Sequence, residues 1–217
     1  VILSTLDILG TLAFAISGAF RAVKHELDLL GLMVLAIATG VGGGIVRDVL
    51  LGATPPTALK NESYLLVCIA GALLAILNKR RIASHWDLVM LADAIGLGLF
   101  AAIGAQKAEA MGAGPLTIIL MAGVTATGGG VIRDLLVMEI PAVLKSDFYA
   151  TAALLGGAVF FASGSLHWQL TTRLTVTVMV TSVLRIIAMN RGTELPRVKS
   201  LPESPSHLTR RRKRTHR

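Results

Sequence analysis

The chain has 217 residues, 53% hydrophobic and 16% charged, with a mean hydropathy of +0.70 and a formal net charge of +8. So apolar a composition excludes an ordinary soluble domain, and long uncharged runs such as Leu29 to Val46 exclude the short alternating strands of a transmembrane barrel. The charge excess sits at one end: residues 191–217 carry a net +7 and residues 1–190 a net +1.

A helix rises 1.5 Å per residue, so about 20 apolar residues cross a hydrocarbon core of about 30 Å. The runs predict seven helices, over 2–20, 29–51, 63–78, 88–106, 115–137, 148–166 and 172–190, and hence an all-α, multi-pass integral membrane protein. The first helix carries Asp7 and Ser17. The second carries Thr39, the triplet Gly42, Gly43 and Gly44, and then Arg47 and Asp48. The third contains the single cysteine, Cys68, which can form no intrachain disulfide and is expected to pack against lipid or a neighbouring helix. Asp93 lies in the fourth. The fifth carries Thr125, Gly128, Gly129, Gly130, Arg133 and Asp134. Arg185, near the end of the seventh, is expected to snorkel to the headgroups. No removable leader is expected, because the first candidate span opens the sequence.

Residues 1–190 thus form one transmembrane domain, and residues 191–217 a basic tail. The tail holds Pro196, Pro202, Pro205 and "RRRKRTHR" without apolar periodicity, so disorder is expected, with attraction to anionic lipid headgroups rather than to nucleic acid. Arg21, Lys24, Lys79 to Arg81, Lys145 and the tail fall on one side of the predicted spans, against Lys60, Lys107 and Arg173 on the other. The richer side should be cytoplasmic, which puts the N-terminus outside and the C-terminus inside.

A shift of 86 residues superimposes the sequence on itself. Asp7 meets Asp93, Phe14 meets Phe100, Gly18 meets Gly104, Thr39 meets Thr125, Gly42 to Gly44 meet Gly128 to Gly130, and Arg47-Asp48 meets Arg133-Asp134. Pro55 meets Pro141 and Gly71 meets Gly157, so the register is expected to run without a gap. Each copy, about 3–78 and 88–166, holds three helices. An odd number inverts the second copy in the membrane, giving a 3+3 inverted repeat with the seventh helix outside it, an architecture of transport proteins with sites at the repeat interface.

Three successive glycines can unwind or kink a helix, and unwound carbonyls at two matched positions would favour a cation. The alternative is that the glycines only let two helices cross closely. Arg47 and Asp48, like Arg133 and Asp134, are adjacent and diverge by about 100° on a helix, so each is expected to pair elsewhere. Matching depths suggest Arg47 with Asp7 and Arg133 with Asp93, lining or gating two pore mouths, against the alternative of structural ion pairs. Ser17, Thr39 and Thr125 are possible ion-coordinating hydroxyls, although such groups more often bond the carbonyl one turn back. The sequence offers no nucleotide loop, paired-histidine metal motif or nucleophile elbow, so neither an enzyme nor a bound cofactor or metal is expected beyond a permeating ion.

"GVGGGIVRD", ending at Asp48, and "ATGGGVIRD", ending at Asp134, resemble the prokaryotic trimeric intracellular cation (TRIC) channels over about residues 3 to 190. The resemblance implies glycine-kinked second and fifth helices and a homotrimer with a pore in each protomer. It also implies permeation of K⁺, or Na⁺, and residence in a prokaryotic inner membrane. Related bacterial sequences labelled glycine transporters supply the rival reading, a secondary transporter of a small amino acid.

Overall fold

The computed structural model describes residues 2–77, 86–145 and 148–191, without the side chains of 86–89 and 145. The basic residues expected at 79–81, the Lys145 side chain and the tail beyond Arg191 lie outside the described residues. Nine helices and no strand occur among them: α1 (Ile2–Lys24), α2 (Leu29–Leu50), α3 (Thr57–Lys60), α4 (Ser63–Leu77), α5 (Trp86–Ala110), α6 (Pro115–Leu136), α7 (Ala142–Lys145), α8 (Tyr149–Ser165) and α9 (Leu170–Arg191). Five of them, α1, α2, α5, α6 and α9, are long and apolar enough to cross a membrane, whereas α4 and α8 are apolar but have only 15 and 17 residues. The short α3 and α7 follow prolines in connections that sequence periodicity is blind to at four residues.

Local chemistry sets the helix ends. Asp28 caps α2 by accepting from the Gly31 amide at 2.7 Å, and Pro115, which needs no amide partner, opens α6. Gly52 and Gly112 take φ of +71° and +76° just past α2 and α5, a conformation that a side chain would oppose.

α1 lies against α2, α4 and α5; α5 lies against α6; and α9 packs on α5 and α8. Two apolar clusters form the core. One gathers Phe14, Leu97, Phe100, Met121 and Phe160; the other gathers Leu32, Leu35, Val41, Tyr64 and the buried free Cys68. Phe14 and Phe100, partners in the 86-residue repeat, meet at a ring-centroid distance of 5.1 Å.

α2 and α6 cross at their glycines, and here the expected unwinding does not occur: both helices are continuous through the triplets. A methyl on Gly43 would strike the Thr125 carbonyl, one on Gly129 the Thr39 carbonyl, and one on Gly128 would lie 3.1 Å from the Gly43 Cα. The triplets therefore let two backbones approach while each keeps its own hydrogen bonds. The balance favours this outcome. A glycine in a helix costs about 1 kcal/mol, whereas each unsatisfied backbone group in hydrocarbon costs several. Thr39 and Thr125 follow the same logic, each donating to the carbonyl four residues back, Leu35 and Met121, at 2.6 Å. The hydrogen of each hydroxyl is thus committed to its own helix, and both residues are buried.

Candidate functional site

Asp7, Arg21, Arg47, Asp48, Asp93, Lys107, Arg133 and Asp134, carried on α1, α2, α5 and α6, gather into two clusters. Asp7 and Ser17, ten residues apart on α1, belong to different clusters, so the two are separated by about 15 Å along that helix.

In the first cluster Arg47 and Asp48 are 2% and 1% exposed. Arg47 Nε donates to Asp48 Oδ1 at 2.7 Å, Lys107 Nζ donates to the same oxygen at 2.7 Å, and the Thr57 amide donates to Asp48 Oδ2 at 2.8 Å. Lys107 also reaches the Thr57 hydroxyl at 3.0 Å. Asp7 is held by the Tyr64 hydroxyl at 2.7 Å, not by Arg47. The expected Arg47–Asp7 pair is therefore absent. An arginine arm is long enough to fold back along its own last turn, and its Nε then meets the neighbouring carboxylate that helix geometry had seemed to put out of reach.

The second cluster repeats this pattern and adds to it. Arg133 Nε donates to Asp134 Oδ1 at 2.9 Å, the Ala142 amide donates to Asp134 Oδ2 at 2.8 Å, and Arg21 Nη2 approaches Asp134 Oδ1 at 3.5 Å. Here the cross-helix pair is present as well: Arg133 Nη1 lies 3.3 Å from Asp93 Oδ1 and 2.8 Å from Ser17 Oγ, which in turn donates to Asp93 at 3.2 Å. A cavity of about 120 Å³ opens beside these groups, lined by Ser17, Arg21, Asp93, Arg133, Tyr149 and Arg185. Arg185 does not snorkel outward. It is 8% exposed and stacks over the Tyr149 ring at 4.7 Å, because an aromatic face inside the bundle accepts its charge. Just outside α6, Glu139 is bonded to His25 at 2.8 Å and lies 3.4 Å from Arg21. Its partial desolvation opposes ionisation, but the His25 hydrogen bond and the nearby Arg21 and Lys24 charges hold the carboxyl below its ordinary range.

Lys107, Arg21, Tyr64 and Tyr149 escaped the sequence reading. The repeat held the clue to the first two, since Arg21 and Lys107 are 86 residues apart and make matching contacts to Asp134 and Asp48. Past the prolines the register changes. Asp48 and Asp134 are 86 apart, but the amides that bond them, Thr57 and Ala142, are 85 apart, as are α3 and α7 and the pair Tyr64 and Tyr149. The register expected to be gapless loses one residue because Thr57 follows two prolines, Pro55 and Pro56, and Ala142 follows Pro141 alone.

A bundle of membrane-length apolar helices enclosing two clusters of paired charges defines the class: a polytopic α-helical membrane protein. The family model described as glycine transporter matches residues 4–80 and 90–164. The chain is 40% identical over 201 residues to the UPF0126 membrane protein of Deinococcus radiodurans, covering 91% of this chain and 92% of that protein. It is 40% identical over 194 residues to the UPF0126 inner membrane protein YadS of Escherichia coli K12, covering 88% and 93%. Its fold matches a structure solved to explain conductance through TRIC cation channels (40% identity, TM-score 0.86, 93% of this chain and 100% of that one). It also matches the TRIC orthologue from Rhodobacter sphaeroides (36% identity, TM-score 0.84, 88% and 99%). The chain belongs to this family of prokaryotic TRIC channels.

Proposed function

We propose that the chain is a homotrimeric channel for monovalent cations, chiefly potassium, with a pore in each protomer beside the crossing of α2 and α6. The single observation that carries the reading is the pair of matched charge clusters, one toward each end of the crossing. Likeness to TRIC cation channel structures at 36–40% identity supports a channel rather than an enzyme, and the trimeric state of the Rhodobacter orthologue supports self-assembly. In this reading α4 and α8 complete seven spans, and the 3+3 repeat is inverted. The basic side of the bundle faces the cytoplasm, and the Arg47 cluster lies toward the outside.

The chemistry differs from the one expected of unwound helices. Coordinating oxygens come from the carboxylates of Asp7 and Asp93, not from bared backbone carbonyls. Each arginine is neutralised by a neighbouring aspartate, so a cation approaching Asp93 meets a paired guanidinium, not a bare positive charge. Between the clusters, the Phe14–Phe100 contact is an apolar seal that must part for ions to pass. The experiment is planar-bilayer recording from purified protein in potassium chloride: unitary current steps are expected, and their absence would refute a channel. The second reading, a carrier for a small amino acid, is favoured by the glycine-transporter family description. It requires substrate accumulation driven by an ion gradient, without unitary steps.

A further inference from the structure

The two clusters differ in how the arginine meets the aspartate of the other helix. In the second, a side-chain hydroxyl joins the arginine to the aspartate: Arg133 Nη1 donates to Ser17 Oγ, and Ser17 Oγ donates to Asp93 Oδ1. The repeat partner of Ser17, 86 residues on, is Ile103, so the first cluster has no hydroxyl at that place. Arg47 shows the consequence. Its Nη1 is buried and has no hydrogen-bond partner among the described residues, although Arg133 Nη1 has two. Asp7 is bonded by Tyr64 at Oδ2 only, which leaves Oδ1 without a described partner. Arg47 and Asp7 line a common cavity of about 10 Å³ together with Thr11. That is close to the smallest volume that admits one water molecule, and the polar groups a buried water needs are present around it.

We propose that this cavity is a binding site for a single water molecule, which takes the place of the Ser17 hydroxyl and bridges Arg47 Nη1 to Asp7 Oδ1. The water accepts from the guanidinium and donates to the carboxylate, and the Thr11 hydroxyl is at hand as a third partner. An apolar occupant would leave a buried guanidinium N–H unpaired, which is strongly unfavourable. A cation there would lie against the arginine. The difference between a bound hydroxyl and a bound water is mechanical. Ser17 is fixed to α1, whereas a water exchanges, so the Arg47–Asp7 link parts more readily than the Arg133–Asp93 link. This consequence rests on reading the two links as the ends of an ion path; the water site itself does not.

A crystal structure of the full chain at a resolution that shows ordered water tests the site. Density is expected within hydrogen-bond distance of both Arg47 Nη1 and Asp7 Oδ1. A direct Nη1 contact to protein, or a dry cavity, would overturn the proposal. Ile103→Ser should supply the missing hydroxyl and displace the water, and Ser17→Ala should bring a water between Arg133 and Asp93. Water density unchanged in Ile103→Ser, or no new water in Ser17→Ala, would contradict the exchange of one for the other. In bilayers Ile103→Ser should lower open probability about five-fold, the size of one net hydrogen bond, relative to Ile103→Val. The water present in the crystal with open probability unaltered would uphold the site and refute the ion-path reading, so the two failures are distinguishable.

Discussion

Replacing the six triplet glycines with alanine one at a time should separate steric need from conformational freedom. At Gly43 the new methyl meets the Thr125 carbonyl, and at Gly129 the Thr39 carbonyl, and neither backbone oxygen can rotate away. At Gly44 the nearest group is Arg47 Nη2 at 3.6 Å, an ordinary contact with the end of a flexible side chain. Alanine gains about 1 kcal/mol of helix propensity at any of these positions. Overpacking of a close crossing takes back about 1–3 kcal/mol, toward the upper end against backbone. Gly43→Ala and Gly129→Ala should therefore be destabilised by about 2 kcal/mol net, while Gly44→Ala should be neutral or stabilised by up to about 1 kcal/mol. Thermal unfolding of each variant in detergent, followed by fluorescence-detected size exclusion, measures the difference. If Gly44→Ala were as damaging as Gly43→Ala, the close-crossing explanation would fail, and flexibility of the triplet would be the better reason for its glycines.

Lys107→Met removes a 2.7 Å contact to buried Asp48, which keeps Arg47 and the Thr57 amide, so a loss of about 1–3 kcal/mol is expected in the same assay. Arg21→Met, whose contacts are 3.4–3.5 Å and whose side chain is 18% exposed, should lose only about 0–1 kcal/mol; the reverse order would refute the geometry. Glu139 has a folded pKa held below its ordinary 4.5. The stability it contributes is present above that value and is lost as pH falls through the depressed one. Melting temperature followed from pH 6 downward should fall less steeply below about pH 4.5 in Glu139→Gln than in the parent; parallel profiles would argue against the His25–Glu139–Arg21 linkage. Arg173 ties α9 to Glu109 at 2.6 Å and stacks over Phe160 at 4.1 Å, and among the described residues it bonds to no member of either cluster. Arg173→Met should lower stability by about 1–3 kcal/mol and leave unitary conductance unchanged.

Helix positions and the repeat were legible because both rest on patterns that survive without neighbours. A long apolar run marks a helix, and "GGG" followed three residues later by "RD" is too specific to recur by chance. What Gly43 and Gly129 do was not legible. A glycine reads the same in sequence whether it unwinds a helix or lets another backbone approach, and only the Thr125 and Thr39 carbonyls decide between them. Side-chain reach misled in the same way. Helical wheels place Cβ atoms, but Arg47 acts at Nε, several bonds away, and there its neighbour Asp48 is the nearer acid. Tyr64 and Tyr149 were hidden by the one-residue slip after Pro56, which a fixed 86-residue comparison carries out of register. Lys107 was hidden by treating it as a loop charge, although its match with Arg21 lay in the same comparison as the aspartates.

In the proposed channel the two clusters are opposite ends of one cation path. Unitary current–voltage curves of Asp7→Asn and Asp93→Asn in symmetric potassium chloride test it directly, since removing a carboxylate from one mouth depresses entry from that side alone. The two variants should rectify in opposite directions, by a factor that shrinks as salt rises. Rectification of the same sign in both, or linear curves of parental conductance, would contradict a path that begins at one aspartate and ends at the other.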